Sequence, residues 1–200
     1  MCSVASELRR DQTRMPNIMD LSNAKVAILA TDGFEEVELS RPAEALRKAG
    51  ATVHVIAPKA STEETIKAWD EDDWGKAYAI DRTLSDAKSD DYHALILPGG
   101  QINPDKLRIN EDAVQFVKDF VNSNKTVAAI CHGPWLLAEA DVLKGKKLTS
   151  FKSIKTDLKN AGAEWQNNAV VVDEKLITSR DPDDLPGFIE AIRSQLRAAN

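Results

Sequence analysis

A cysteine followed directly by a histidine, Cys131-His132, is the part of this chain best suited to nucleophilic chemistry. The pair comes straight after an apolar run, 126–130, and before a helix-like stretch. A strand that turns sharply into a helix exposes the side chain at the corner, provided that small residues lie two positions before and two positions after it. Ala129 and Gly133 meet this requirement. The pattern predicts a nucleophile elbow, in which the N-terminus of the following helix favours the thiolate of Cys131.

The alternative for Cys131 is an ordinary buried cysteine that ends a core strand. The adjacent His132 favours the catalytic interpretation, because a nearby base activates a thiol. Adjacent side chains in a turn diverge, so the sequence leaves direct contact between the two open. His132 would also need a carboxylate to orient its ring. His54 and His93 lie within and just before predicted strands, where packing or surface exposure is the simpler interpretation.

Three glutamates, Glu35, Glu36 and Glu38, follow a turn at the end of an earlier apolar run. An acidic residue in the first turn of a helix complements the helix dipole, and this explains Glu36. Glu38 lies about one turn into the element, where one helix face must be buried. Burial and a nearby thiolate both raise the pKa of a carboxyl group. We therefore expect Glu38 to stay protonated and to donate a hydrogen bond to the sulfur, as a thiolate stabiliser or a proton shuttle.

A glycine pair, Gly99-Gly100, follows a third apolar run, 94–97. The backbone N–H groups of Gly100 and His132 are predicted to form an oxyanion hole that faces Cys131. A plain loop is an equally good interpretation of two glycines taken alone. Active sites of open parallel sheets lie at the carboxyl ends of the strands, so we expect these strand ends to converge at one edge.

The elements that would position these residues alternate between strands and helices. A buried strand at 25–30, a helix at 39–49 and a strand at 52–57 form a βαβ unit, which implies parallel pairing. Further strands are predicted at 94–97, 126–130, 148–149, 170–172 and 176–178, and further helices at 111–121, 135–140, 157–161 and 183–198. The alternation predicts a doubly wound α/β sandwich around a mostly parallel sheet.

Residues 59–93 are strongly polar and less regular. Within them, 68–75 is predicted to be an acidic loop that carries two tryptophans. This composition is compatible with a solvent-exposed loop, and also with the rim of a site or of a subunit contact. We favour the first, because exposed runs of charge are usually solvated surface.

Composition limits the classes of function. The 200 residues suit one domain, and the net charge of −6 argues against a nucleic-acid-binding patch. The two cysteines, Cys2 and Cys131, fit a reducing cytoplasm, and metal-ligand spacing is absent from the sequence. Residues 1–23 have the polar character of a flexible arm rather than a secretory signal, and no apolar run is long enough to span a membrane. The single domain is predicted at 24–200.

Several segments of the chain resemble the ThiJ/PfpI family of the class I glutamine amidotransferase-like superfamily. The matching segments are GFEEVEL at 33–39, LILPGG at 95–100, LRINEDAVQFVKDFV at 107–121, AAICHGPWLLAEADVLKGKKLTS at 128–150, NAGAEW at 160–165 and VVVDEKLITSRDPDDLPGF at 170–188. The resemblance covers about residues 24–196. Glutamine amidotransferases themselves use a histidine near the C-terminus, and no histidine follows His132.

The resemblance implies a flavodoxin-like α/β sandwich that assembles as a dimer or hexamer. It implies the following roles: Cys131 as nucleophile, His132 as its partner, Glu38 in contact with the sulfur, Glu35 as a further pocket acid, and the amides of Gly100 and His132 as the oxyanion hole. In PfpI-type members an acidic residue after the glycine pair reaches the histidine of a neighbouring subunit, and that position falls on Asp105. Phe151 stands where some relatives have a pocket tyrosine.

Three functions follow from these residues. The first is a cofactor-free enzyme that acts on α-oxoaldehydes such as methylglyoxal, or on their early adducts with proteins or peptides. The second is a PfpI-type intracellular cysteine peptidase. The third is a stress protein whose thiol senses oxidants without catalysis. We rank them in this order, because the aldehyde reaction needs only a thiolate, an acid and a small pocket. No metal, nucleotide or flavin motif is present in the sequence.

Overall fold

A computed structural model describes residues 21–58 and 64–198. The strands are β1 Lys25–Leu29, β2 Phe34–Glu35, β3 Thr52–Ala57, β4 Thr65–Asp70, β5 Asp73–Ala79, β6 Arg82–Thr83, β7 Ala94–Leu97, β8 Thr126–Ile130, β9 Lys147–Leu148, β10 Glu164–Trp165, β11 Val170–Asp173 and β12 Leu176–Ser179. The helices are α1 Glu36–Lys48, α2 Ile102–Arg108, α3 Glu111–Asn122, α4 Pro134–Glu139, α5 Lys155–Asn160 and α6 Leu185–Ala198. Short 3₁₀ turns occur at Ser89–Asp91, Lys152–Ile154 and Pro182–Asp184.

A seven-stranded sheet forms the centre, in the order β11-β12-β8-β7-β1-β3-β6. All neighbouring strands are parallel except β11, which runs antiparallel to β12. Alternate residues of β1 face opposite layers, as the pleat of a strand requires. Val26 and Ile28 pack with α1 and α6, whereas Ala27 and Leu29 pack with α2 to α5. The predicted α/β sandwich with a mostly parallel sheet is therefore confirmed.

Two helices differ from their predictions near the carboxyl edge of the sheet. Helix α1 begins at Glu36 instead of Leu39, so Glu38 lies in its first turn. Helix α2 was not predicted. Pro104 is the third residue of α2, where a backbone N–H has no partner within the helix and proline is tolerated.

The predicted acidic loop at 68–75 is wrong: the chain forms an antiparallel hairpin of β4 and β5, which joins β2 in a second, three-stranded sheet. Ile66 and Ala68 are buried while Lys67 between them is exposed, which is the alternation of a half-buried strand. The turn of the hairpin passes through Glu71, whose φ is +56°. The hairpin stands beside the carboxyl edge of the central sheet, since β2 leads directly into α1.

The start of the folded region also differs from the predicted boundary. Leu21, which falls within the predicted flexible arm, is fully buried, and its N–H donates to the Ala49 carbonyl at 2.7 Å. Residues 1–20 of the predicted arm lie outside the described residues. None of the helices within 21–58 and 64–198 is long and apolar enough to cross a membrane.

Candidate active site

The carboxyl ends of β1, β7 and β8, which are neighbours in the sheet, open into one cleft of about 570 Å³. The residues that line it are Gly33, Glu35, Glu38, Trp69, Glu71, Gly100, Gln101, Ile102, Cys131, His132, Phe151 and Pro182. The cleft brings together every predicted site residue except Asp105.

Cys131 occupies a sharp corner between β8 and α4. Its φ is +59°, a left-handed conformation that a residue with a side chain rarely adopts. A Cβ on Gly133 would overlap the Leu97 carbonyl oxygen, and a Cβ on Gly99 would lie 2.6 Å from the Cβ of Cys131. Because these atoms approach so closely, only glycine fits at positions 99 and 133. The corner therefore has the geometry of a nucleophile elbow.

The imidazole of His132 contacts the cysteine directly. Its Nδ1 lies 3.2 Å from Cys131 Sγ, and its Nε2 lies 2.9 Å from the hydroxyl of Ser153. The Phe151 ring stacks on it at 5.1 Å, and the Trp135 ring meets it edge-on at 5.2 Å. Burial lowers the pKa of His132 below its usual range, so the ring is neutral at pH 7. In the tautomer that donates Nε2–H to Ser153, Nδ1 is free to accept the thiol proton.

Glu38 is fully buried, and its carboxyl group hydrogen-bonds the thiol of Cys131. The Gly99 N–H donates to its Oε2 at 2.7 Å, whereas its Oε1 has no hydrogen-bond partner among the described residues. Burial raises the pKa of Glu38 to about 8, and the charge of Glu35 adds to the rise. The carboxyl group therefore carries a proton at neutral pH, as predicted.

Opposing effects set the pKa of the Cys131 thiol. Burial raises its pKa above the usual range, and the negative charge of Glu38 adds to the effect. The backbone N–H groups of His132 and Gly100 interact with the sulfur and lower the pKa, but their effect is smaller. The His132 amide at the start of α4 therefore favours the thiolate, which is the predicted direction, but burial and Glu38 outweigh it. The two amides that approach the sulfur are those predicted for the oxyanion hole.

The two remaining predicted acids lie in different places. Glu35 is half-buried at the mouth of the cleft, and burial raises the pKa of its carboxyl group. Asp105 is exposed on α2 and does not line the cleft. Both ring nitrogens of His132 lie near other groups, so within one chain Asp105 does not orient the histidine.

Three residues of the site were missed by the sequence analysis: Ser153, which contacts His132, and Trp69 and Glu71, which line the cleft. Ser153 reaches His132 because the segment after β9 folds over the elbow, where the Phe151 N–H donates to the Cys131 carbonyl at 3.0 Å. No local motif marks such a contact. For Trp69 and Glu71, the available signal was a tryptophan within an acidic run. The positions of both residues agree with the alternative interpretation of segment 68–75, the rim of a site.

A metal site is not evident in the described parts of the chain, where no group of three or more His, Cys, Asp or Glu side chains is placed to hold an ion. The cleft itself offers a thiol, a neutral imidazole, a protonated carboxyl group and two backbone donors.

Ser153→Ala is expected to lower kcat about five- to tenfold, because His132 loses the partner that fixes its ring and a hydrogen bond is worth about 1 kcal/mol. KM should change little, since Ser153 positions the base and does not line the cleft. Steady-state kinetics on any accepted substrate measures both constants. Ser150→Ala is the matched control, because Ser150 bonds Phe151 and Trp165 instead. An unchanged kcat in Ser153→Ala would remove the residue from the site.

Known proteins share both the sequence and this architecture. The chain is 48% identical to protein/nucleic acid deglycase 2 of Escherichia coli K12 over 172 residues, which cover 84% of this chain and 96% of that protein. It is 43% identical to the putative cysteine protease YraA of Bacillus subtilis 168, over 82% of this chain and 93% of that protein.

Solved structures agree with the sequence relatives. A two-domain protein of Anabaena variabilis with DJ-1/ThiJ/PfpI-like and ferritin-like domains matches with a TM-score of 0.80 and 39% identity, over 86% of this chain and 48% of that chain. Schizosaccharomyces pombe DJ-1 matches with a TM-score of 0.76 and 25% identity, over 86% of this chain and 91% of that one. Residues 24–195 match the DJ-1/PfpI family as a whole, and the chain belongs to that family.

Proposed function

We propose that this protein is a cytoplasmic, cofactor-free enzyme that uses Cys131 to convert α-oxoaldehydes, or their early adducts on proteins, into hydroxy acids. One observation carries the proposal: a fully buried carboxyl group with an unpartnered oxygen lies beside a thiol that an imidazole contacts at 3.2 Å. Such a pair can accept and return a proton within a small cleft. The name of the Escherichia coli relative, a deglycase, supports the same class of reaction.

The first step forms a carbon–sulfur bond. Nδ1 of His132 takes the proton of Cys131, and the sulfur attacks the aldehyde carbon of methylglyoxal. The carbonyl oxygen becomes an oxyanion, which the N–H groups of Gly100 and His132 stabilise before it is protonated. The product of this step is a hemithioacetal.

The second step moves a proton from the former aldehyde carbon to the neighbouring ketone carbon. Glu38, which has lost its proton to the oxyanion or to solvent, is the base that removes and returns it, and an enediol lies between the two transfers. The result is a thioester of lactate on Cys131. Water then cleaves the thioester and releases lactate and the thiol, so that methylglyoxal plus water gives lactic acid without a redox change.

A peptidase is the second candidate, supported by the name of the Bacillus subtilis relative. Peptide hydrolysis needs an oriented histidine, and here Nε2 of His132 meets a serine hydroxyl instead of a carboxylate. Asp105 is exposed on α2. In a homodimer or hexamer, its carboxylate would have to contact His132 of a second subunit. The peptidase therefore depends on assembly, whereas the aldehyde reaction needs only one chain.

A redox-sensing stress protein is the third candidate, and another relative is named general stress protein 18. Sensor thiols are accessible and ionised. Cys131 is only 8% exposed, and burial raises its pKa, so the sensor function ranks last.

Lactate formation from methylglyoxal, followed by NMR without glutathione, tests the proposed function. We expect many molecules of lactate per protein chain, with the free thiol recovered at the end. A single equivalent of aldehyde bound per thiol, with no lactate, would contradict the proposal and favour the peptidase or sensor. Omitting glutathione excludes the non-enzymatic hemithioacetal as substrate.

A further inference from the structure

The mouth of the cleft is bordered by negative charge. Three carboxyl side chains line the cleft: the buried, protonated Glu38, and Glu35 and Glu71 nearer its opening. Among the described lining residues there is no lysine or arginine. We call Glu35, Glu71 and the tryptophan between them, Trp69, the acidic mouth.

The acidic mouth is held in a fixed geometry. The indole N–H of Trp69 donates to the Glu71 carbonyl at 2.8 Å, which closes the hairpin turn. The Glu71 N–H in turn hydrogen-bonds the carboxyl group of Glu35. The turn is thereby tied to the N-terminus of α1, and the two carboxyl groups stay on the same side of the opening.

The basic side chains of the hairpin are engaged elsewhere. Lys76 donates to Glu36 through its Nζ at 2.9 Å and its backbone N–H at 3.0 Å. Lys67 lies over the ring of Trp74 at 5.4 Å. The hairpin is thus anchored to α1 by an ion pair that leaves the charge of the acidic mouth unneutralised.

The negative field extends into the cleft. Burial is the main reason that the pKa values of Glu35 and Glu38 are raised. The charges of Asp70 and Glu71 add to the rise for Glu35, and those of Glu35 and Asp181 add to it for Glu38. A cation that enters the cleft would be stabilised by the same charges, and an anion would be repelled. The aromatic face of Trp69 adds a surface on which a guanidinium group can stack.

We propose that the acidic mouth selects substrates by charge, so that the cleft accepts aldehyde adducts carried on guanidinium groups and rejects those carried on phosphate-bearing nucleotides. The chemistry at Cys131 rests on the proposed function, but the selection by charge does not. For this chain, the mouth therefore favours the protein part of the substrates that the Escherichia coli relative's name describes.

Charged thiol reagents test the selection without any turnover. The probes are two methanethiosulfonates of similar size, one with a trimethylammonium group and one with a sulfonate, applied to a Cys2→Ser background so that Cys131 alone reacts. We expect the ratio of cationic to anionic rates to exceed that of a free small thiol by about tenfold. Glu71→Gln should reduce the ratio about threefold, which corresponds to the loss of one nearby charge.

Asp90→Asn is the matched control, because Asp90 is an exposed acid before β7, at the opposite edge of the sheet. It should leave the ratio unchanged. A ratio equal to that of the free thiol, or one that Glu71→Gln does not alter, would overturn the charge selection.

A substrate comparison tests the same inference during turnover. The methylglyoxal adducts of N-acetylarginine and of guanosine monophosphate are compared by kcat/KM. The arginine adduct should be preferred at least about tenfold, mainly through KM, and added salt should narrow the preference. Equal kcat/KM values would overturn the inference and leave the proposed function intact. Absence of turnover with both adducts and with methylglyoxal would overturn the proposed function, while the thiol reagents still decide the charge selection.

Discussion

Cys131→Ser is expected to lower the rate of lactate formation by about a thousandfold or more, because removal of a catalytic nucleophile costs losses of that order or greater. The serine hydroxyl is a much weaker acid than a thiol, and burial raises its pKa further. The neutral imidazole of His132 cannot ionise such a group at a useful rate. NMR of the product, with the variant at high concentration, measures the residual rate.

The other cysteine of the chain provides the control. Cys2→Ser leaves the elbow intact and should retain the wild-type rate. Thermal unfolding should show that Cys131→Ser is still folded, since serine is slightly smaller than cysteine and fits the same corner. Lactate formation by Cys131→Ser at more than a tenth of the wild-type rate would mean that the nucleophile lies elsewhere.

The parts of the site that follow from local sequence were predictable. Small residues flank Cys131 because the corner admits nothing larger, and Gly133 has no room for a Cβ. Glu38 was expected to be buried because it lies on the inward face of a helix, and it is fully buried. The central strands were predicted because burial on both faces produces continuous apolar runs.

The remaining parts of the fold and the site depend on contacts between residues that are far apart in the sequence. Burial and Glu38 raise the pKa of Cys131, whereas the amides of His132 and Gly100 lower it. The net direction cannot be judged from the helix N-terminus alone. The β4–β5 hairpin was missed because its residues are mostly exposed and charged, so the strand alternation is visible only at Ile66 and Ala68. Ser153 meets His132 through tertiary packing, which leaves no pattern in the chain.

Glu38→Gln is expected to lower kcat about 10²- to 10⁴-fold, the range typical of a lost general acid–base group. Glutamine has the shape of the protonated carboxyl group, so it can still accept from the Gly99 N–H. It cannot remove the proton from the hemithioacetal. Alkylation of Cys131 by iodoacetamide at about pH 9, where Glu38 is ionised in the wild type, should meanwhile proceed at or above the wild-type rate, because the variant lacks the negative charge that raises the thiol pKa.

These two readouts separate chemistry from structure. A distorted site would lower both kcat and the rate of Cys131 alkylation, whereas loss of the proton shuttle lowers kcat alone. If turnover of methylglyoxal survives Glu38→Gln intact, the proton transfer passes through another group and the proposed mechanism is wrong.

The same substitution should make the protein more stable, and increasingly so as the pH rises. The pKa of Glu38 is about 8 in the folded chain against an ordinary value of 4.5, so protonation favours the folded state. This contribution is fully present below about pH 4.5 and is lost as the pH rises through about 8. At roughly 1.4 kcal/mol per pKa unit, the loss for one such buried group is several kcal/mol, whereas glutamine does not titrate.

The measurement is the difference in Tm between Glu38→Gln and the wild type at about pH 5, 6.5 and 8. We expect a small difference at the lowest pH and a large positive one at the highest. Glu36→Gln is the matched control two residues away. In the wild type, hydrogen bonds from Lys76 to the Glu36 carboxylate lower its pKa and stabilise its ionised form. That variant should be less stable than the wild type near neutral pH. A difference for Glu38→Gln that does not grow with pH would mean that the carboxyl group is ionised in the folded protein, and the proton that the mechanism requires would have to come from His132.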